Sequence, residues 1–316
     1  MLSVSSCCRR LIAVISLVGF VFISQPLSSL AKSPDIDFDL LYRAAQFANL
    51  AYDGKSKILG ELKGKPAWVA TPGAADVQYV IGYNDQRKVQ AIAVRGTANA
   101  TNWTLDKDAH ALKDQRSGIL MHRGFRTAAE AIYRDVRPRL KPGYTTYLTG
   151  HSLGGAVAAI LGIYLQDDGV KLGRIFTFGQ PKFTNSAGAK AYESLPLLRV
   201  IYQNDTVALL PDNDAQGDQV FAHIGPVINI LSGPYYVYGS AQQTLQFSQG
   251  SFSKFLTQIS LPDHKIKWYL QGLRDKLNGA KEVSFKDRDR YIVRHKYGTG
   301  VETAPTKKKF NFNPHP

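Results

Sequence analysis

The chain has 316 residues, a formal net charge of +14, 44% hydrophobic residues and only two cysteines. That is enough apolar matter to bury a sizeable core, as one large α/β domain or two small ones. Both cysteines, Cys7 and Cys8, sit ahead of the first apolar run, which excludes thiol catalysis and cysteine-based metal sites from everything after it.

The N-terminus reads as a secretory signal peptide. Arg9 and Arg10 supply the charge, Leu11 to Ile23 is an uncharged apolar run, and Ser29-Leu30-Ala31 is a small-x-small cleavage signal. The run is short against the about 20 residues of a membrane span. Cleavage near Ala31 and export to periplasm or medium are expected, with a catalytic domain over 32–279 and a basic extension over 280–316. The positive charge of an exported protein favours peripheral contact with anionic membrane surfaces. Neither a helix-turn-helix nor a zinc finger nor an interleaved basic-aromatic platform is legible, so no nucleic-acid partner is expected.

Apolar spacing predicts a helix over 37–52. Strands are expected at Ala67–Ala70, Val77–Tyr83 and Val89–Val94, the last leading into Arg95-Gly96-Thr97. An amphipathic helix is expected over Phe125–Leu140, stopped by Pro142-Gly143. A strand over Tyr144–Thr149 precedes an apolar helix over Ala156–Leu165. Strands at Arg174–Phe178 and Leu198–Gln203 enclose a helix at 186–194. This rhythm calls for α/β architecture, a mostly parallel central sheet flanked by helices. Residues 207–263 break it and read as a long loop region, rich in Gly, Pro, Ser, Gln and aromatics. A closing helix is expected over 265–276, and after about 280 a basic appendage or mobile tail.

The chemistry concentrates at Gly150-His151-Ser152-Leu153-Gly154. A strand before this G-x-S-x-G and a helix after it make the context of a nucleophile elbow, in which the serine sits on a tight, strained turn. Glycine is needed two residues to either side, because a side chain there would collide with neighbouring backbone.

An activated serine needs a base, and the base needs an orienting acid, here expected in the chain order Ser, Asp, His. Four histidines follow Ser152. His315 is at the terminus and His295 lies in the basic region, so the contest is between His223 and His264. His264 is in a loop just before the closing helix and is preferred; His223 has apolar neighbours and reads as a packed core residue. Asp205 follows its strand directly and is the expected acid. Asp212, Asp214 and Asp218 suggest a calcium loop, but its twelfth position is His223 rather than Glu, so neither metal nor cofactor is expected. Two donors must hold the oxyanion: the amide of Leu153, and Thr97 at the end of an earlier strand.

Ala93-Val94-Arg95-Gly96-Thr97, Asn102-Trp103, Asp106, His122-Arg123-Gly124-Phe125, the GHSLGG block at 150–155, Val200 to Asp205, His223-Ile224-Gly225 and Asp263-His264 together resemble the class 3 lipases in order and spacing. The resemblance spans roughly residues 40–272. It implies an α/β-hydrolase fold and ester hydrolysis of acylglycerols or phospholipids. It also implies Ser152 as nucleophile, Asp205 as acid, His264 as base, Thr97 with the Leu153 amide as oxyanion hole, and His223 as a structural histidine. The expected activity is that of an exported serine hydrolase acting on carboxylic esters of lipids, like a triacylglycerol lipase. The alternatives are a phospholipase A-type activity on anionic membranes and a catalytically silent binding protein of the same fold. Residues 98–119 are mostly polar where such lipases carry an apolar lid; the aromatic stretch 226–258 is the other candidate cover.

Overall fold

The computed structural model describes residues 34–62, 64–97, 110–211, 221–243 and 261–293. The expected signal peptide, residues 98–109, the Asp212–Asp218 cluster, residues 244–260, His295, His315 and the tail beyond 293 therefore lie outside the described residues. The described residues from Ile36 onward belong to one compact unit.

Helix α1 (Phe38–Leu50) begins where the Asp37 side chain accepts from the Leu40 amide at 2.8 Å, a standard N-cap bond. Helix α2 (Lys55–Glu61) follows and has no periodic apolar signal in the sequence. Strands β1 (Ala67–Ala70), β2 (Tyr79–Asn84) and β3 (Val89–Val94) form an antiparallel meander. A short hairpin, β4 (Ala111–Lys113) and β5 (Leu120–His122), leads into helix α3 (Arg123–Val136). Its buried residues Phe125, Ala128, Ala129, Ile132 and Val136 trace one helical stripe.

Strand β6 (Thr145–His151) then enters the sheet and helix α4 (Leu153–Asp167) leaves it. Every residue from Leu153 to Leu165 is buried, as expected for a helix apolar all round. Strand β7 (Leu172–Phe178), the short β8 (Thr184–Asn185), helix α5 (Ser186–Ala191) and strand β9 (Leu197–Tyr202) follow.

The region read as an irregular loop after 207 holds three further strands: β10 (Phe221–Ala222), β11 (Val227–Ile230) and β12 (Tyr235–Gly239). Strand β11 pairs parallel with β9, and β12 returns antiparallel beside it. Residues 227–239, part of the stretch offered as a cover, are thus sheet strands. Their β-branched and aromatic residues, Val227, Ile228, Ile230 and Tyr236 to Tyr238, are strand formers. Helix α6 (Ile266–Arg274) and β13 (Lys281–Glu282) close the order.

The main sheet has nine strands in the order β1-β2-β3-β6-β7-β9-β11-β12-β13. From β3 to β11 all pairings are parallel. A second sheet, β10-β8-β5-β4, is antiparallel. One core, with α3 and α4, fills one face of the main sheet; another, with α1 and α6, fills the other. The carboxyl ends of β3, β6, β7 and β9 consequently meet along one rim, where a parallel sheet covered on both faces presents its functional groups.

Residues 281–293, assigned from sequence to the basic extension, join this unit. Lys281 and Glu282 pair with Tyr235 and Tyr236 on β12, and Ser232 bonds through both its amide and its hydroxyl to the Tyr291 carbonyl. Net charge concealed that edge strand, because β13 is polar and exposed.

Candidate active site

Ser152 stands between the last residue of β6 and the first of α4, with φ 60° and ψ −135°. A non-glycine residue there is strained and persists only where its surroundings fix it. They do so through close packing. A Cβ on Gly150 would lie 2.2 Å from the Gly154 carbonyl oxygen, and one on Gly154 would lie 2.3 Å from the Val94 carbonyl oxygen. Both glycines of the pentapeptide are thus required by backbone contacts. The Ser152 amide donates to the Phe178 carbonyl at the end of β7, 2.9 Å away.

Ser152, Asp205 and His264 converge on this rim. His264 Nε2 lies 2.7 Å from Ser152 Oγ, and His264 Nδ1 lies 2.8 Å from Asp205 Oδ2. The three residues are separated by 53 to 112 positions along the chain, and all are buried. The carboxylate must accept at Nδ1, so that nitrogen carries the proton and Nε2 is the free base facing the hydroxyl. Asp205 receives two further bonds, from Tyr269 Oη to Oδ2 and from the Val207 amide to Oδ1 at 2.9 Å. Burial works to raise the Asp205 pKa, but the His264 charge and the bonds from His264 and Tyr269 prevail and hold the carboxyl below its ordinary value.

His223 takes no part. It is buried, its Nε2 donates to the Ala208 carbonyl at 2.7 Å, and burial drives its pKa well below the ordinary value. Of the two histidines, His264 is the one within hydrogen-bond distance of Ser152.

Leu153 follows Ser152 directly, and the segment before Thr97 packs against Ser152. Val94 at the end of β3 pairs with Gly150 on β6, which brings Arg95-Gly96-Thr97 to the elbow. A Cβ on Gly96 would lie 3.1 Å from Ser152 Cβ. Thr97 Oγ1 is buried with no hydrogen-bond partner among the described residues, an uncommon state for a buried hydroxyl. Leu153 opens α4, where the amides of the first turn have no partner within the helix.

Three residues that sequence reasoning did not single out complete the surroundings. Tyr269, on the buried face of α6, reaches Asp205. His151 Nε2 donates to the His264 carbonyl at 2.6 Å, and Tyr52 Oη donates to His151 Nδ1 at 2.7 Å. Burial, followed by the nearby His264 charge, pushes the His151 pKa down to about 3. Its place within the GHSLGG block was the only available signal. Tyr52 follows α1 in a stretch that looks like any helix end. Among the described residues, no group of three or more His, Cys, Asp or Glu is placed to hold a metal ion.

The sheet and its rim are those of the α/β-hydrolases. The fold matches a triacylglycerol lipase whose catalytic centre is described as a serine protease triad, with TM-score 0.58, 25% identity, and 72% of this chain and 91% of the other covered. It also matches Lip2 lipase from Yarrowia lipolytica, with TM-score 0.58, 19% identity and the same coverages of 72% and 91%.

Within that class, residues 91–215 match the family model for lipase (class 3). The secreted mono- and diacylglycerol lipase 1 of Fusarium solani is 29% identical over 163 residues, 49% of this chain and 45% of the relative. The secreted alkaline triacylglycerol lipase of Penicillium cyclopium is 29% identical over 167 residues, 47% of this chain and 58% of the relative. The chain thus spans about half the length of the curated relatives it matches.

Proposed function

We propose that this protein hydrolyses carboxylic esters of lipids, with acylglycerols as the substrate class, through an acyl-enzyme on Ser152. The observation that carries the reading is the continuous hydrogen-bonded line from Ser152 Oγ through His264 to Asp205 at a nucleophile elbow. The names of the relatives, which are glyceride lipases, favour acylglycerols over phospholipids.

In the first half-reaction Ser152 Oγ attacks the ester carbonyl as His264 Nε2 takes its proton. Asp205 holds the resulting imidazolium in line. The carbonyl electrons move onto oxygen, where Thr97 and the Leu153 amide are the proposed donors; losing one such donor typically costs about 3–4 kcal/mol of barrier. Collapse expels the alcohol, which leaves with the proton from His264. Water then attacks the acyl-enzyme by the same route, giving the acid and restoring Ser152.

Export is part of the proposal. It rests on the leader over residues 1–31 and on relatives named as secreted. The test is a comparison of wild type and Ser152→Ala on triglyceride emulsions, on a chain-length series of esters, and on phospholipid vesicles. Loss of ester hydrolysis in the variant supports the reading, and retention of more than a small fraction of it contradicts it. Faster wild-type turnover of phospholipid than of glyceride would transfer the proposal to a phospholipase.

A further inference from the structure

The residue that aims the proposed acid is itself in a strained conformation, and a segment outside the family match holds it. Gln203 lies two positions before Asp205, at the end of β9, with φ +40°. A bulky residue in the left-handed region is costly and persists only where its surroundings over-determine it.

Each polar group of Gln203 is engaged. Its amide donates to the Ile230 carbonyl at 2.9 Å, and its side-chain Nε2 donates to Tyr202 Oη at 2.8 Å. Its carbonyl accepts from Asn229 Nδ2 at 3.0 Å and from Arg288 Nη2 at 2.8 Å. Its Oε1 accepts from the Val293 amide at 2.8 Å. Two of these bonds come from residues 285–293, the strap that follows β13.

Arg288 does more than meet one carbonyl. Its Nη2 also donates to Asn204 Oδ1 at 2.6 Å, and its Nε donates to Asn229 Oδ1 at 2.7 Å. One guanidinium thus spans the two residues immediately before Asp205 and the neighbouring strand β11. Only a planar, multi-donor cation makes all three contacts together; a lysine ammonium is a point charge on a flexible stem. The Arg288 side chain is 22% exposed, so the cluster is partly screened from water.

We propose that Arg288 is a positioning residue for the catalytic acid: by clamping Gln203, Asn204 and Asn229 it locks the left-handed turn that sets Asp205 against His264. The proposal rests on the reading of Asp205 as the acid. It assigns to a C-terminal strap, outside the matched residues 91–215, a role in turnover as well as in covering the sheet edge. Arg288 bonds to Gln203, Asn204 and Asn229 rather than to Ser152, His264 or Asp205 themselves. Its loss therefore affects the alignment of His264 and leaves substrate binding intact.

The experiment measures kcat and KM for p-nitrophenyl butyrate in wild type, Arg288→Ala, Arg288→Lys and Asn204→Ala, with thermal unfolding of each. Arg288→Ala is expected to lower kcat by roughly ten- to hundredfold, the scale of a misplaced catalytic group, with KM unchanged. Arg288→Lys should recover part of that loss, and Asn204→Ala should show a smaller fall in kcat of the same kind. If Arg288→Ala does not fold, the other two variants decide. Folded variants that keep wild-type kcat, or that raise KM alone, overturn the proposal. Ser152→Ala and Asp205→Ala, run in parallel, separate the two claims. If they abolish turnover while the Arg288 variants do not, the strap has no part and the serine mechanism stands; if they retain turnover, that mechanism itself fails.

Discussion

His151 donates through Nε2 to the backbone carbonyl of His264, 2.6 Å away. The residue beside Ser152 therefore holds the loop that carries His264. Tyr52 completes the connection by donating to His151 Nδ1 at 2.7 Å. Tyr52 also takes a hydrogen bond from the Gly96 backbone, which ties the segment before Thr97 into the same line. The Ser152 elbow, the His264 loop and the segment before Thr97 are thus joined by one hydrogen-bonded line.

Removing the tyrosine hydroxyl strands a buried acceptor on His151. Tyr52→Phe is expected to lower stability by about 1–3 kcal/mol, the cost of an unsatisfied buried group. Urea denaturation measures it, alongside a fall in kcat. An unchanged unfolding midpoint would show that the relay carries no weight.

Gly179 permits the close approach of Asp205 and His264. It has φ +57°, and a Cβ there would lie 2.6 Å from Asp205 Oδ2, 2.8 Å from Tyr269 Oη and 2.9 Å from His264 Nδ1. The displaced atoms belong to side chains, so the variant can fold by shifting them. Gly179→Ala should cost roughly 1–2 kcal/mol of stability for the left-handed backbone and a hundredfold or so in kcat for the misplaced pair. Steady-state kinetics with thermal unfolding tests it. Wild-type turnover would mean the site tolerates the displacement.

Acid sensitivity follows from the buried histidines. Burial, then the His264 charge, holds His151 down at about 3 against an ordinary 6.5. His223 is depressed in the same direction by burial and by Arg199. Below about pH 6.5 the unfolded chain takes up protons that the folded chain refuses. This stability is complete above that pH and is lost as pH falls toward 3. Asp205, with its folded value lowered, acts the same way, its contribution vanishing as acid protonates it. Unfolding free energies across this range should fall with decreasing pH. His223→Gln keeps a donor for the Ala208 carbonyl and should flatten the slope; an unaltered slope would contradict the assignment.

Much of the architecture was legible because local signals agreed. Ala67–Ala70 and Val89–Val94 are strands with the expected bounds, since apolar β-formers there end in clear turn residues. The elbow was legible because only glycine fits at positions 150 and 154. Helix α4 runs past the expected Ala156–Leu165 at both ends, as Leu153 and Asp167 are helical; the glycines at 154 and 155 hid its first turn. Strands β11 and β12 were missed because Gly, Pro and Ser around them suggested loop, and sheet pairing outweighed that composition. Tyr269, Tyr52 and Arg288 were invisible for a different reason. Their roles depend on partners 64, 99 and 85 positions away, a separation that no local pattern encodes.

The central claim is that Ser152 is the nucleophile activated by His264, and an active-site label tests it most directly. The protein is treated with a p-nitrophenyl alkylphosphonate, and the adduct is located by peptide mass spectrometry in wild type, Ser152→Ala and His264→Ala. One phosphonyl group on Ser152 in wild type, none in Ser152→Ala and greatly slowed labelling in His264→Ala is the predicted result. Labelling of another residue, or equal labelling rates with and without His264, would contradict it.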